Sequence, residues 1–144
     1  MNHFPEDVLA WIDESKILGI RAGKGPHRVI GIWAVVVERR VFVRSWSMKE
    51  RSWWRTFLED PTGIIEADGR QIPIRAVRTR SERLKDKVDE AYAAKYNTPG
   101  SLKYVKDFRT KKRRDTTTEL VPAGRASARP RPTPADRSPG TRRR

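Results

Sequence analysis

Hydrophobic and polar positions change period several times along the chain, and each change marks an element. Pro5, acidic Glu6 and Asp7, then Val8, Trp11 and Ile12 at helical spacing predict a helix that fades near Ser15. A short strand over 17–20 and a loop over 22–26, punctuated by Gly23, Gly25 and Pro26, follow. The clearest signal is a hairpin: an almost wholly apolar strand over 29–37, a turn at Glu38, Arg39 and Arg40, and a strand over 41–46. In that second strand Val41, Val43 and Ser45 alternate with Phe42, Arg44 and Trp46, so Arg44 shares a face with Phe42 and Trp46. The first strand lacks alternation, which predicts that both its faces are covered.

Ser47 and Glu50 have the spacing of a capping box, and Trp53, Trp54, Phe57 and Leu58 continue at helical intervals, so a helix is expected over 49–59. Asp68 and Gly69 join strands over 64–67 and 71–77, with Pro73 marking an edge or irregular position. Ser81 opens a helix whose apolar stripe is Leu84, Val88, Ala91, Tyr92 and the stem of Lys95, ending before Thr98, Pro99 and Gly100. One or two helical turns over 102–108 and a β-branched strand over 116–121 complete five or six strands and three or four helices.

Composition divides the chain in two. A domain over 1–122 is expected to be followed by a disordered basic tail over 123–144, where Ala is the only apolar type among four Pro and two Gly, too little to offset the entropy of ordering. The tail's seven basic residues against one acidic give +6 of the net +14, so the body is basic as well, at +8. The absence of Cys removes disulfides, thiolate nucleophiles and Cys-ligated metal. No apolar run approaches the roughly 18 residues of a membrane span, and the start of the chain lacks a signal-peptide pattern. A soluble, cytoplasmic protein is expected.

His3 and His27 are the only imidazoles, and with no P-loop, dinucleotide fingerprint, nucleophile elbow or metal-spaced His pair, the common hydrolase and nucleotide-binding signatures are absent. Asp86, Asp89 and Glu90 alternate with Lys85 and Lys87 and predict a solvated charged face. The densest chemistry lies between 44 and 55. Arg44, Ser45, Ser47, Lys49 and Arg51 gather where a strand gives way to a helix N-terminus, a place suited to phosphate, and Trp46, Trp53 and Trp54 offer flat surfaces for a heteroaromatic ring. A second basic cluster, Arg109 and the four residues of 111–114, joins the tail as a candidate for non-specific nucleic-acid binding through phosphate charge.

The ordered series Ile32-Trp33-Ala34-Val35-Val36-Val37, Val41-Phe42-Val43-Arg44-Ser45, Trp53-Trp54-Arg55, Ala91-Tyr92-Ala93-Ala94-Lys95-Tyr96 and Thr117-Thr118-Glu119-Leu120-Val121-Pro122 resembles an uncharacterised bacterial domain-of-unknown-function family over roughly residues 5–122. That family is similar to the split β-barrel proteins that bind flavin mononucleotide or its deazaflavin analogue, among them deazaflavin-dependent nitroreductases and the pyridoxamine-phosphate-oxidase-like group. The resemblance implies an α+β fold, a six-stranded, mostly antiparallel split β-barrel with packed helices, able to form a homodimer. It also implies a phosphate-bearing cofactor and no metal. Arg44, Lys49 and Arg51 would neutralise the phosphate, Ser45 and Ser47 would donate hydrogen bonds, Trp46 or Trp53 would flank the ring, and Tyr92 and Tyr96 are the candidate proton donors. Three features depart from the family pattern: no Gly lies between Ser45 and Trp53, Glu119 stands where Arg is usual, and the first hairpin turns at Glu38-Arg39-Arg40 where a Gly is usual. The competing expectations are a basic nucleic-acid-binding module and a structural barrel with no cofactor.

Overall fold

Among the described residues seven antiparallel strands build one strongly curved sheet, accompanied by five helices. The computed structural model describes residues 3–25, 28–49 and 51–123. In chain order the elements are α1 (Glu6–Glu14), β1 (Leu18–Ala22), β2 (Ile30–Ile32), β3 (Ala34–Val37), β4 (Arg40–Val43), α2 (Trp53–Glu59), β5 (Thr62–Ala67), β6 (Arg70–Arg78), α3 (Glu82–Lys95), α4 (Pro99–Phe108), α5 (Lys111–Arg114) and β7 (Thr118–Pro122).

The strands lie in the order β2-β1-β5-β6-β7-β4-β3. The two end strands are consecutive in sequence and separated only by Trp33, so the sheet curls until its ends meet at that residue, forming a nearly closed split barrel. This is where the apolar run over 29–37 departs from expectation. It is two strands rather than one, β2 pairing with β1 and β3 with β4. The division raises the strand count from six to seven and leaves Ile30 exposed, so only the β3 part is covered on both faces.

Two apolar clusters share the sheet. Ile20, Val41, Val43, Ile65, Ile74 and Leu120 fill the barrel interior, closed at one end by Val8, Leu9 and Ile12 of α1. Val35, Val37 and Phe42 point the other way, against Leu84, Val88 and Tyr92 of α3 and Val105 and Phe108 of α4. The period-two alternation of β4 thus serves both layers, and Arg44, following Phe42 on the outer face, is carried under α3.

Both hairpins turn in two residues with positive φ, the geometry that matches strand twist. At Asp68 and Gly69 φ is 54° and 72°; at Glu38 and Arg39 it is 54° and 64°, left-handed backbone adopted without any glycine. Pro73 sits in β6, a strand with neighbours on both sides, but at the end of its ladder with β7, where the carbonyl of Pro73 accepts from the N–H of Ala123. The helix expected over 49–59 starts only at Trp53, with the Ser52 hydroxyl accepting from the Arg55 N–H. Ser47 instead accepts from the N–H of Lys49, two residues on, outside any helix. The helical turns expected over 102–108 extend to the ten residues of α4. Apart from Ala123, the tail expected over 123–144 lies outside the described residues. Among the described residues no helix is long and apolar enough to cross a membrane.

Candidate aromatic cleft and basic recess

At the seam of the barrel, beside Trp33, a cleft of about 390 Å3 opens between β2, the segment following β4, and α4. Its walls are Trp33, Trp46, Trp53, Tyr104 and Phe108, and Ile30 and Ile32 add aliphatic surface. This combination of apolar lining and a few polar groups is typical of small-molecule sites, whose volumes run from about 300 to 1,000 Å3. The rings brace one another. Tyr104 and Phe108 stand edge-on to Trp33 at 6.0 and 6.1 Å, and Tyr104 meets Trp46 edge-on at 5.7 Å.

Each wall has a support. On its far face Trp33 stacks on Tyr96 of the third helix's C-cap, centroids 4.1 Å apart and planes 6° from parallel, and its carbonyl accepts from the Tyr92 hydroxyl at 2.7 Å. Trp46 is half-exposed, yet its indole N–H donates to Asp107 at 3.2 Å and its carbonyl accepts from the Arg113 Nε at 3.0 Å. The same guanidinium lies 5.4 Å from the indole ring. Trp53 packs edge-on against Phe57 at 5.9 Å, one turn along α2.

A second recess, about 160 Å3, shares Ile30 and Trp53 with the cleft and adds Arg28, Arg51 and Thr56 to its wall. Ile30 of β2 and Trp53 of α2 thus border both compartments.

The residues singled out in the sequence divide between these places. Trp46, Ser47 and Trp53 line the cleft, and Arg51 lines the recess. Ser45 forms part of the cleft floor, but its N–H donates to the Thr116 hydroxyl and its own hydroxyl to the Ser47 carbonyl at 2.6 Å. Lys49 is exposed and lines neither compartment.

Arg44 also borders the cleft, but its side chain is fully shielded from solvent. Its guanidinium donates to Asp89, to the Phe108 carbonyl at 2.9 Å, to the Lys85 carbonyl at 2.9 Å and, through Nε, to the Thr117 hydroxyl at 2.8 Å. Burial pushes this guanidinium below its ordinary value, against the pull of Asp89. With those bonds made, the Arg44 guanidinium is engaged by protein acceptors. Asp89 is accordingly no member of a solvated face: it is buried and pairs with both Arg44 and Arg114. Arg114 also reaches Glu82 and Asp86 at 3.0 Å each, so part of the basic cluster over 111–114 is turned inward.

Tyr92 accepts from the Arg44 N–H while donating to Trp33, and burial raises its phenol well above the usual range. Burial likewise pushes the Tyr96 phenol up to about 12, and that hydroxyl donates to the Lys16 carbonyl at 2.8 Å. Both phenols point away from the cleft, into backbone acceptors. Glu119 pairs with Arg40 in a two-point contact at 2.8 and 3.1 Å, apart from the cleft. His3 is exposed and His27 lies outside the described residues. No group of three or more His, Cys, Asp or Glu among the described residues is placed to hold a metal ion.

Sequence reasoning missed Trp33, Tyr104, Phe108 and Arg28 as wall residues. Trp33 was hidden inside an apolar run, Tyr104 and Phe108 read as ordinary helix positions, and Arg28 follows a stretch read as loop.

Residues 7–120 match the family described as an uncharacterized protein conserved in bacteria, DUF2255. No curated protein matches the chain by sequence. Among solved structures, the conserved hypothetical protein Rv2991 from Mycobacterium tuberculosis aligns with a TM-score of 0.53 at 11% identity, covering 86% of this chain and 82% of its own. An FAD-binding protein from Mesorhizobium loti aligns with a TM-score of 0.51 at 9% identity, over 87% and 93%. At such identities the likeness concerns the fold.

Proposed function

The chain belongs to the DUF2255 family of bacterial proteins, and from that premise and the aromatic cleft we propose that it binds a phosphate-bearing flavin-type cofactor, flavin mononucleotide or its deazaflavin analogue, and acts as a small oxidoreductase. The observation that carries this reading is the cleft itself. Trp33, Trp46 and Trp53 converge on one opening large enough for a planar heteroaromatic ring, and each indole is held in place by neighbouring rings or hydrogen bonds. The likeness of fold to an FAD-binding protein supports it.

In this role Trp46 and Trp53 flank the ring, Trp33 forms the back wall, and Ser47 offers a hydroxyl at the cleft edge. Such a cofactor, when bound, supplies hydride transfer; the protein's part is position, electrostatics and exclusion of water. Arg44 acts by fixing the floor, since its donors already have acceptors.

The test is a titration of the full chain with flavin mononucleotide and, separately, the deazaflavin cofactor, read by ligand fluorescence and thermal melting. Stacking on indole should quench the ligand's emission, and ligand at 100 times its dissociation constant should add about 2.7 kcal/mol of stability. Trp53→Ala should weaken both effects. A chain that neither quenches nor is stabilised by either cofactor has a different function.

A further inference from the structure

We propose that the recess walled by Arg28, Arg51 and Thr56 is an anion site that takes the phosphate of a ligand whose ring lies in the aromatic cleft. As a refinement of the proposed function, it rests on that reading for the identity of the ring, while the anion site itself rests on three observations.

The first is chemical. Two guanidinium groups and a hydroxyl border the recess, no carboxylate among the described residues does, and Arg supplies planar donors matched to phosphate oxygens. The second is availability. Among the described residues neither Arg28 nor Arg51 has a carboxylate within salt-bridge distance; other arginines such as Arg55 and Arg75 are likewise without one, but they do not border the recess. The third is adjacency. Ile30 and Trp53 border both the recess and the cleft, so the two arginines lie beside the wall against which the ring would stack. The volume of about 160 Å3 is several times the roughly 30 Å3 share of one water, enough for a phosphate group with solvent around it.

The site shares Arg51 with the one the sequence suggests and otherwise differs from it. There the phosphate would sit among Arg44, Ser45, Ser47, Lys49 and Arg51, but Arg44 and Ser45 spend their donors within the protein and Lys49 lines neither compartment. Arg28, more than twenty residues from Arg51 in sequence, enters only because β2 brings the preceding segment beside the start of α2.

The experiment compares flavin mononucleotide with riboflavin, and inorganic phosphate alone, on the full chain and on Arg28→Gln/Arg51→Gln. Arg55→Gln, a nearby arginine that lines neither compartment, controls for net charge. The mononucleotide should bind about tenfold tighter than riboflavin, roughly the worth of one charge-assisted hydrogen bond. The double variant should bring the ratio near one with riboflavin affinity unchanged, and Arg55→Gln should preserve it. Equal binding of the two flavins to the unaltered chain, or a preference that survives the double substitution, overturns the anion site and leaves the flavin reading standing. If neither flavin binds but millimolar phosphate alters the tryptophan fluorescence of the unaltered chain and not of the double variant, the anion site stands and the flavin reading falls. Silence with all three overturns both.

Discussion

Arg44 illustrates how far a residue's type alone specifies its work. A basic residue at the end of a strand, beside serines and tryptophans, has the sequence signature of a phosphate ligand, and alternation correctly places it on the face of Phe42. What alternation does not reveal is that α3 covers this face and presents Asp89 to the guanidinium. That depends on a contact across 45 positions. Removing one partner from a buried pair leaves an uncompensated charge, so Asp89→Asn should destabilise the protein by about 3 kcal/mol in a urea melt. An Arg44 variant would therefore lose stability whether or not a cofactor binds, and loss of binding in it would not locate a phosphate. Lys95 shows the same cost of burial. Its ammonium donates to the Ile12 and Ala34 carbonyls at 2.8 and 2.7 Å, and burial lowers its pKa from 10.5 to about 8. Between those values the unfolded chain holds the proton more firmly than the folded one, so this group makes stability rise with pH from about 8 to 10.5. Chemical denaturation across that window should show the rise, and Lys95→Met should remove its share.

At the scale of elements, periodicity located nearly every helix and strand but misjudged two junctions for physical reasons. The run over 29–37 has no polar residue to signal a break; the break exists because β2 and β3 pair with strands at opposite ends of the sheet, a constraint of closure rather than of local preference. The second helix was expected to begin four residues early because Ser47 and Ser52 both have N-cap chemistry. Ser52→Ala should cost about 1 kcal/mol of stability, as lost caps do, whereas Ser47→Ala should change it by less than about 0.5 kcal/mol. Thermal melts of the two variants decide which serine caps. The Glu38-Arg39 turn offers the opposite case, an element held in spite of its residues. Both φ values are positive, and the side chains recover a little through surface pairs with Arg83 and Glu6. Arg39→Gly relieves the left-handed backbone and gives up only an exposed ion pair, so a gain of about 0.5 kcal/mol in a denaturant titration is expected.

Taken as a whole molecule, the barrel closes where the cleft opens, and one residue serves both. The indole of Trp33 sits between the two end strands, stacked on Tyr96 behind and edge-on to Tyr104 and Phe108 in front, with its carbonyl tied to Tyr92. The fold class was legible in the order of apolar segments because alternation and turn chemistry are local; the cleft was not, because its walls come from β2, the segment after β4, α2 and α4, which only closure brings together. Trp46 and Trp53 were accessible to sequence reasoning through their basic neighbours, while Trp33 looked like one more core residue. Closure and binding should then separate by substitution. Trp33→Ala removes a stacked, largely enclosed ring from the seam and should cost about 3 kcal/mol, together with ligand binding. Trp46→Ala, at the exposed rim, should cost about 1 kcal/mol or less while still weakening binding. Equilibrium melts and near-ultraviolet circular dichroism on both variants test the distinction. If Trp33→Ala is as stable as Trp46→Ala, the seam does not depend on the ring, and Trp33 is a wall of the cleft and nothing more.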